Sequence, residues 1–430
     1  MLVCNPLGID IFEVILFLVE FVPYLVAVVV GLVALVWSST DNKWLKLGSI
    51  IWVPVMIAVM ISSTFLCSWE DAYRRGYDLS LPSLRSALES YITTGEGDVH
   101  DILESNRHAP TFGLPETNYI VKDLLKHTIF HLDDHNVENI DEGYNKGNDW
   151  FAATLGETMI YTCGIYPTGE ETLVEAQKHK LDYVANSLEL QEGDQVLDIG
   201  CGWGYLTKHF TEQYGAQVTG ITLSSEQHKF GTELNGGNGA KILLQDAMKI
   251  MERDDLPVGG FDKITSLEMA EHVGIRRYQE FLKLVHSLLK DDGVFYFQVA
   301  GLRRSWRYED LTWGLFMGEH VFPGADASCP LGWVATQLER AGFEIQLVQN
   351  LGTHYSRTLD HWLDHWEERR TYLVDKYGSL AYRRWEVFLA WSVRAARQGS
   401  STLFMFTVTK QGQEARRIQT QAHLSPRQGL

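Results

Sequence analysis

Cysteine is scarce in this chain. Five are spread over 430 residues, at Cys4, Cys67, Cys163, Cys201 and Cys329, with no Cys-x-x-Cys pair. That argues against a disulfide framework or a zinc site and fits a reducing compartment. Basic residues are in deficit too: 37 Lys and Arg stand against 55 Asp and Glu, a formal net charge of -18, with no long basic run. A nucleic-acid partner is not expected, and a small molecule or a lipid is. Charge is absent altogether from residues 21–39 and again from 47–68. Helices of those lengths would measure about 28 Å and about 33 Å, close to the roughly 30 Å hydrocarbon core of a bilayer. Trp37, Trp44, Trp52 and Trp69 lie mostly near the ends of the two runs, where indoles favour the interface. No Lys or Arg precedes Glu13, so a cleaved signal peptide is not expected. A two-span membrane hairpin over residues 1–68 is predicted, with a buried soluble hairpin as its alternative. The loop at 40–46 is short, so both ends of the hairpin lie on one side.

What the chain does have is an apolar run that breaks into three alternating glycines: Val-Leu-Asp-Ile-Gly-Cys-Gly-Trp-Gly at 196–204. A strand that ends in such a turn and feeds a helix brings backbone N–H groups close to a ligand, because Gly200, Gly202 and Gly204 carry no Cβ. Glycine fingerprints of this kind also serve NAD and FAD. Here Asp198 sits inside the turn, which suits a cationic amino acid moiety better than a pyrophosphate. The second strand, 216–221, ends in Thr222 with no acid for a ribose. The turn therefore favours S-adenosylmethionine over a dinucleotide.

Around that turn the hydrophobic pattern alternates between strand and helix. Strands are predicted near 196, 216–221, 241–245, 261–267 and 293–299, with helices at 176–188, 205–214, 224–234 and 278–289. This rhythm implies a doubly wound, mostly parallel α/β sheet with its ligand at the carboxyl ends of the strands. A stretch at 301–327, rich in aromatic residues, is too long for a turn and is read as a lid, with ordinary packing as the alternative. Upstream, residues 79–92 read as one short helix and 93–97 as a loop. His127, His131 and His135 fall at helical spacing, but no fourth ligand group accompanies them, so no metal is expected. The tail after Lys410 is polar and expected to be disordered.

Five motifs in order resemble one family. They are Tyr161-Thr-Cys-Gly-Ile, Glu175-Ala-Gln-Lys-His-Lys-Leu, the glycine turn, Thr222-Leu-Ser-Ser-Glu-Gln and Glu271-His-Val-Gly. The chain is similar from about residue 143 to 410 to the cyclopropane fatty acid synthase and mycolic acid cyclopropane synthase family of methyltransferases. Further stretches at 298–304, 308–317, 322–328 and 397–400, with the double span, resemble its fungal sphingolipid C9-methyltransferase branch. The Glu319-His320-Val321 triplet departs from that branch, which leaves a paralogue with another substrate open.

The resemblance implies a Rossmann-like class I methyltransferase domain at 143–410 with helical lid insertions. A membrane hairpin at 1–68 and a cytosolic connector at 69–142 would precede it, and a tail at 411–430 would follow. It implies methyl transfer from S-adenosylmethionine to C9 of the Δ8-unsaturated sphingoid base of a ceramide, at the endoplasmic reticulum or another endomembrane. Tyr161 and Thr162 match the loop over the methionine part of the cofactor. Asp198, Gly200, Gly202 and Gly204 match the main cofactor loop, and Thr222, Leu223 and Gln227 the adenosine side. Asp246 and Ala247 would lie by the adenine. Bacterial relatives use a bound bicarbonate as base, and Cys163, Glu271 and Tyr355 fall on three positions of its cradle. The fourth, usually His, is Gln298, which can hydrogen-bond an anion but cannot titrate. Ser392 stands where the family has a C-terminal cysteine. Glu271 also reads as a buried helix-capping carboxylate, and Cys163 as a small buried residue offering only its backbone. Methylation or cyclopropanation of another olefinic lipid remains an alternative, and a non-catalytic membrane scaffold a remote one.

Overall fold

The computed structural model describes residues 82–106, 146–305, 307–322 and 329–412. The expected hairpin, the histidines at 127–135 and most of the tail lie outside these residues. No helix among the described residues is long and apolar enough to cross a membrane.

The described residues fall into two compact units, one holding 82–106 with 304–305 and 307–320, the other 146–303 with 321–322 and 329–412. In the first, helix Leu84–Thr94 starts on Ser83, whose hydroxyl accepts the Ser86 N–H, and ends on Gly95 in the left-handed region. It runs two residues into the stretch read as a loop. Helix Tyr308–His320, from the aromatic stretch read as a lid, belongs to this unit. Arg85 is buried between them, paired with Glu89 at 2.8 Å and with Glu319, its guanidinium 6.0 Å from the centre of the Phe316 ring.

The second unit is built on a seven-stranded sheet in the order β3-β2-β1-β4-β5-β7-β6. Its strands are β1 Gln195–Ile199, β2 Gln217–Thr222, β3 Lys241–Leu244, β4 Phe261–Leu267, β5 Leu289–Leu302, β6 Phe343–Asn350 and β7 Ser401–Lys410. Strands β1 to β5 pair in parallel, and β7 runs antiparallel between β5 and β6. β1 is buried along Val196-Leu-Asp-Ile, as a central parallel strand covered by helices on both faces must be. The chain order reverses between β1 and β4, which opens a crevice beyond their carboxyl ends.

Helix Leu173–Leu188 supplies one wall. It opens with a capping box in which Thr172 accepts from Glu175 N and the Glu175 carboxylate accepts from Thr172 N. Its buried face carries Ala176, Leu181, Val184 and Leu188, yet it also turns Gln177 and Lys180 inward. Two buried polar side chains on an otherwise apolar face need partners, and these lie at the site.

Candidate active site

The glycine turn sorts its three members by what surrounds them. All have positive φ (80°, 53° and 84° for Gly200, Gly202 and Gly204), so each fits a backbone that L side chains avoid. A Cβ on Gly200 would come within 2.7 Å of the Met269 side chain, and one on Gly204 within 2.8 Å of Asn235. Those two glycines let protein pack on protein. A Cβ on Gly202 would meet nothing within 4 Å. Gly202 therefore faces open space at the carboxyl end of β1, which is the cradle the expected cofactor needs.

Asp198 lies beneath this turn, 3% exposed, with its two carboxylate oxygens accepting from Thr265 Oγ1 at 2.9 Å and Thr207 Oγ1 at 3.2 Å. Burial raises its carboxyl to about 6, against the pull of the two hydroxyls and of Lys180. Thr222 Oγ1 donates to Gln227 Oε1 at 2.7 Å, and both side chains are buried, so they brace the second loop. Ser224 accepts from Gln227 N and caps helix Ser225–Leu234. Leu223 is half-buried beside them. Asp246 caps the next turn by accepting from Met248 N at 2.9 Å, and Ala247 opens that turn.

The other half of the site lies at the ends of β4 and β5. Cys163 is fully buried, and burial pushes its thiol far above the ordinary range. Its contribution is the backbone N–H, which donates at 2.9 Å to Glu268 Oε1. The same oxygen accepts from Gln298 Nε2 at 2.7 Å. Gln298 is held in that orientation because its Oε1 accepts from Tyr296 OH at 3.1 Å, and burial keeps that phenol protonated. Tyr355 OH donates to the Glu268 carboxylate as well, and burial followed by the charge of Glu268 keeps Tyr355 neutral.

Glu271, three residues on, has Oε1 2.6 Å from the Ala300 N–H that donates to it, in a short 3-10 turn. Its charge is felt at Tyr355. Lys180 is 1% exposed and donates from Nζ to Thr162 Oγ1 at 2.7 Å, while Gln177 Nε2 donates to Thr162 O at 2.8 Å. These are the partners that the polar residues of helix Leu173–Leu188 required. Burial lowers Lys180 to about 8, and Glu268, Cys163 and Asp198 pull it back up.

Of the residues read from sequence, Cys163, Gln298 and Tyr355 converge on one point, and Glu271 lies beside them. The acceptor at that point, Glu268, was not among them, nor was Lys180. The one available signal was position: Glu268 directly follows the last residue of β4, at the edge where ligands bind in such sheets. Glu268 also has φ 52°, one of three non-glycine residues with positive φ among the described residues. Such a backbone costs of order 1–3 kcal/mol and is kept where the surroundings over-determine it.

Aromatic rings line this half. Tyr161 lies 5.2 Å from Trp362, 5.7 Å from Phe151 and 6.4 Å from Phe322, and Tyr355 stands edge-on to Trp362 at 6.5 Å. Ser392, in the place of the family's cysteine, is buried on helix Ser379–Arg397. Among the described residues, one further group has metal-ligand spacing, Glu89 with Glu319 and His320. Arg85 pairs with both of its carboxylates, so the protein supplies the cation there.

The bicarbonate expected at this site does not fit the geometry. Its three donors, Cys163 N–H, the Gln298 amide and Tyr355 OH, already bind a carboxylate. A free anion would have to displace a side chain that those donors already hold.

Comparison with known proteins agrees with this architecture. The family described as mycolic acid cyclopropane synthetase matches residues 131–406. The chain belongs to this family. A sphingolipid C9-methyltransferase of Gibberella zeae is 44% identical over 75% of this chain and 63% of its own length. One of Candida albicans is 43% identical over 75% of this chain and 64% of its own. The chain thus spans less than two thirds of the length of these relatives. The crystal structure of mycolic acid cyclopropane synthase CmaA1 complexed with SAH and CTAB is 29% identical, with a TM-score of 0.60 over 65% of this chain and 99% of that one. The Rossmann-like class I methyltransferase fold is shared across that match.

Proposed function

We propose that this chain is an S-adenosylmethionine-dependent C-methyltransferase acting on an alkene carbon of a membrane lipid, most specifically C9 of the Δ8-unsaturated sphingoid base of a ceramide. One observation carries the reading: an open glycine turn at the end of β1 lies in the same crevice edge as a half-buried carboxylate and phenol walled by aromatic rings. The fungal relatives named for sphingolipid C9 methylation support the substrate.

Gly202, Leu223, the Thr162 loop and the turn at Asp246 would hold the cofactor, with Asp198 adding negative charge beneath its amino acid part. When bound, it would supply a methyl carried on a sulfonium, an electrophile that an alkene π pair can attack. An alkene is a weak nucleophile, so the chain must hold it close and keep water out. Tyr161, Trp362 and Phe322 do the second, and their π faces suit the positive charge that appears on the neighbouring carbon. Glu271, fixed by Ala300 N–H, adds a carboxylate to the same wall.

Residues 1–68 are proposed as a two-span hairpin holding the domain at the cytosolic face of the endoplasmic reticulum, where S-adenosylmethionine is available. Retention of the full chain in membranes washed with alkaline carbonate checks it, and release into the wash rejects it. The test of activity gives microsomes carrying the full chain S-adenosylmethionine with a trideuterated methyl and a Δ8-unsaturated ceramide. A branched olefin retains all three deuteriums. Retention of two marks cyclopropanation instead, and an unlabelled ceramide rejects the substrate.

A further inference from the structure

We propose that Glu268 is the chain's own proton acceptor, a carboxylate built into the place where the family resemblance implies a bound bicarbonate. The proposal rests on the methyltransferase reading above and adds the identity of its base.

Three observations converge. The donors expected to cradle a free anion all point at one side chain: Cys163 N–H at 2.9 Å, Gln298 Nε2 at 2.7 Å and the Tyr355 hydroxyl. The Gln298 amide is locked by Tyr296, so it presents N–H and nothing else to the carboxylate. A titrating histidine is not needed where the anion is covalently part of the chain, and Gln298 serves as a fixed donor. Finally, the backbone of Glu268 is held at φ 52° by its own N–H, which donates to Gln298 O at 2.8 Å. That bond aims the side chain into the site, where a strained residue has a reason to persist.

The chemistry balances without another reactant. After the methyl carbon has joined the alkene, the neighbouring carbon is positively charged. A lone pair of the Glu268 carboxylate takes the proton from the methylated carbon. The C–H bonding pair becomes the new π bond and neutralises the cation, leaving a branched olefin and a protonated Glu268. The positive charge of Lys180 favours the charged carboxylate, so Glu268 releases the proton to solvent once the product has left. Burial raises the Glu268 carboxyl above the usual range, while Cys163 N–H, Gln298, Lys180 and Tyr355 oppose that rise. A carboxylate whose proton affinity is raised in this way is a stronger base than one in water.

The left-handed backbone supplies a clean variant, because glycine occupies φ 52° without strain. In Glu268→Gly the three donors lose their anion and a cavity replaces it. Two measurements on the full chain decide the matter. The first is binding of ¹³C-bicarbonate by NMR, which needs no substrate. The native chain is expected to show none at millimolar concentration, and Glu268→Gly is expected to bind it. Binding to the native chain overturns the proposal. The second is turnover on the Δ8-unsaturated ceramide in carbonate-free buffer. The native chain should be unaffected by added bicarbonate. Glu268→Gln should lose about 10² to 10⁴-fold in kcat, with S-adenosylmethionine affinity by calorimetry within about twofold of native. Glu268→Gly should lose as much and be rescued by formate or bicarbonate, which a merely structural role would not allow. A native rate that rises several-fold with bicarbonate, or an active Glu268→Gln, overturns the proposal. If the native chain methylates no Δ8 lipid, the substrate reading fails instead, and the bicarbonate measurement still decides what Glu268 occupies.

Discussion

The two halves of the crevice are made in opposite ways. The cofactor half is one contiguous stretch, β1 with its turn and helix Tyr205–Tyr214, and its opening is a matter of absent side chains. The carboxylate half is drawn from four separated segments: the Cys163 loop, the residue after β4, the middle of β5 and helix Gly352–Glu368. One binds through backbone that any sequence with the right glycines reproduces. The other acts through side chains whose roles exist only once the sheet has closed.

The first half is broken most severely at Gly202. Gly202→Val places a branched side chain in the open cradle and is expected to weaken cofactor binding by more than about 100-fold in calorimetry. Forcing Val to φ 53° costs of order 1–2 kcal/mol, so the variant should still fold. Unchanged affinity in a folded variant would move the cofactor away from this turn.

Asp198 tests what lies beneath. Its carboxyl is raised to about 6 from an ordinary 3.8, so the folded state favours the protonated form. The sign follows: the buried charge costs nothing below about pH 4, and that cost grows as pH rises toward 6. Asp198→Asn should therefore gain up to about 3 kcal/mol over the native chain at pH 7 in the absence of cofactor, and nothing near pH 3.5. Urea denaturation at the two pH values measures it. A gain independent of pH would mean that packing, not charge, is being relieved.

Lys180 is the sharpest probe of the second half, and the gentlest. Around Glu268 stand Lys180, Cys163, Tyr355, Glu271 and, through Lys180, Asp198. Only Lys180 is cationic, and it holds the carboxyl down. Lys180→Met should raise Glu268 further, so the base is lost at a higher pH as the solution is acidified. The acid limb of the kcat profile is expected to move up by about one pH unit, roughly tenfold in rate on that limb. A limb that stays in place would separate Lys180 from the base.

The same contrast explains what could be read from the chain itself. Helix Tyr205–Tyr214 and strand β4 match the predicted bounds because hydrophobic period, glycine and burial agree there. The carboxyl-terminal strands were not assigned. β6 shows no two-residue alternation, being an edge strand exposed at Leu347 and Val348, and β7 is a near-continuous buried run that lacks a flanking parallel partner in sequence. Cys163, Gln298 and Tyr355 were recognised through resemblance. Glu268 was passed over because nothing local distinguishes it from Glu271. The difference lies in a backbone angle and in donors arriving from 30 and 105 residues away.

The placement of β7 sets the order of assembly. This strand is the last of the sheet in sequence yet lies inside it, between β5 and β6. While the polypeptide emerges from the ribosome, β5 and β6 are both finished with no partner to join them. Each carries an open hydrogen-bonding edge until residues 401–410 arrive. Unpaired edges of this kind invite association with other chains, and late, distant pairing is slow. Newly made copies should therefore depend on chaperones during synthesis far more than the finished protein does, and β5, the strand that carries Gln298, would be the last central strand to gain protection from hydrogen exchange.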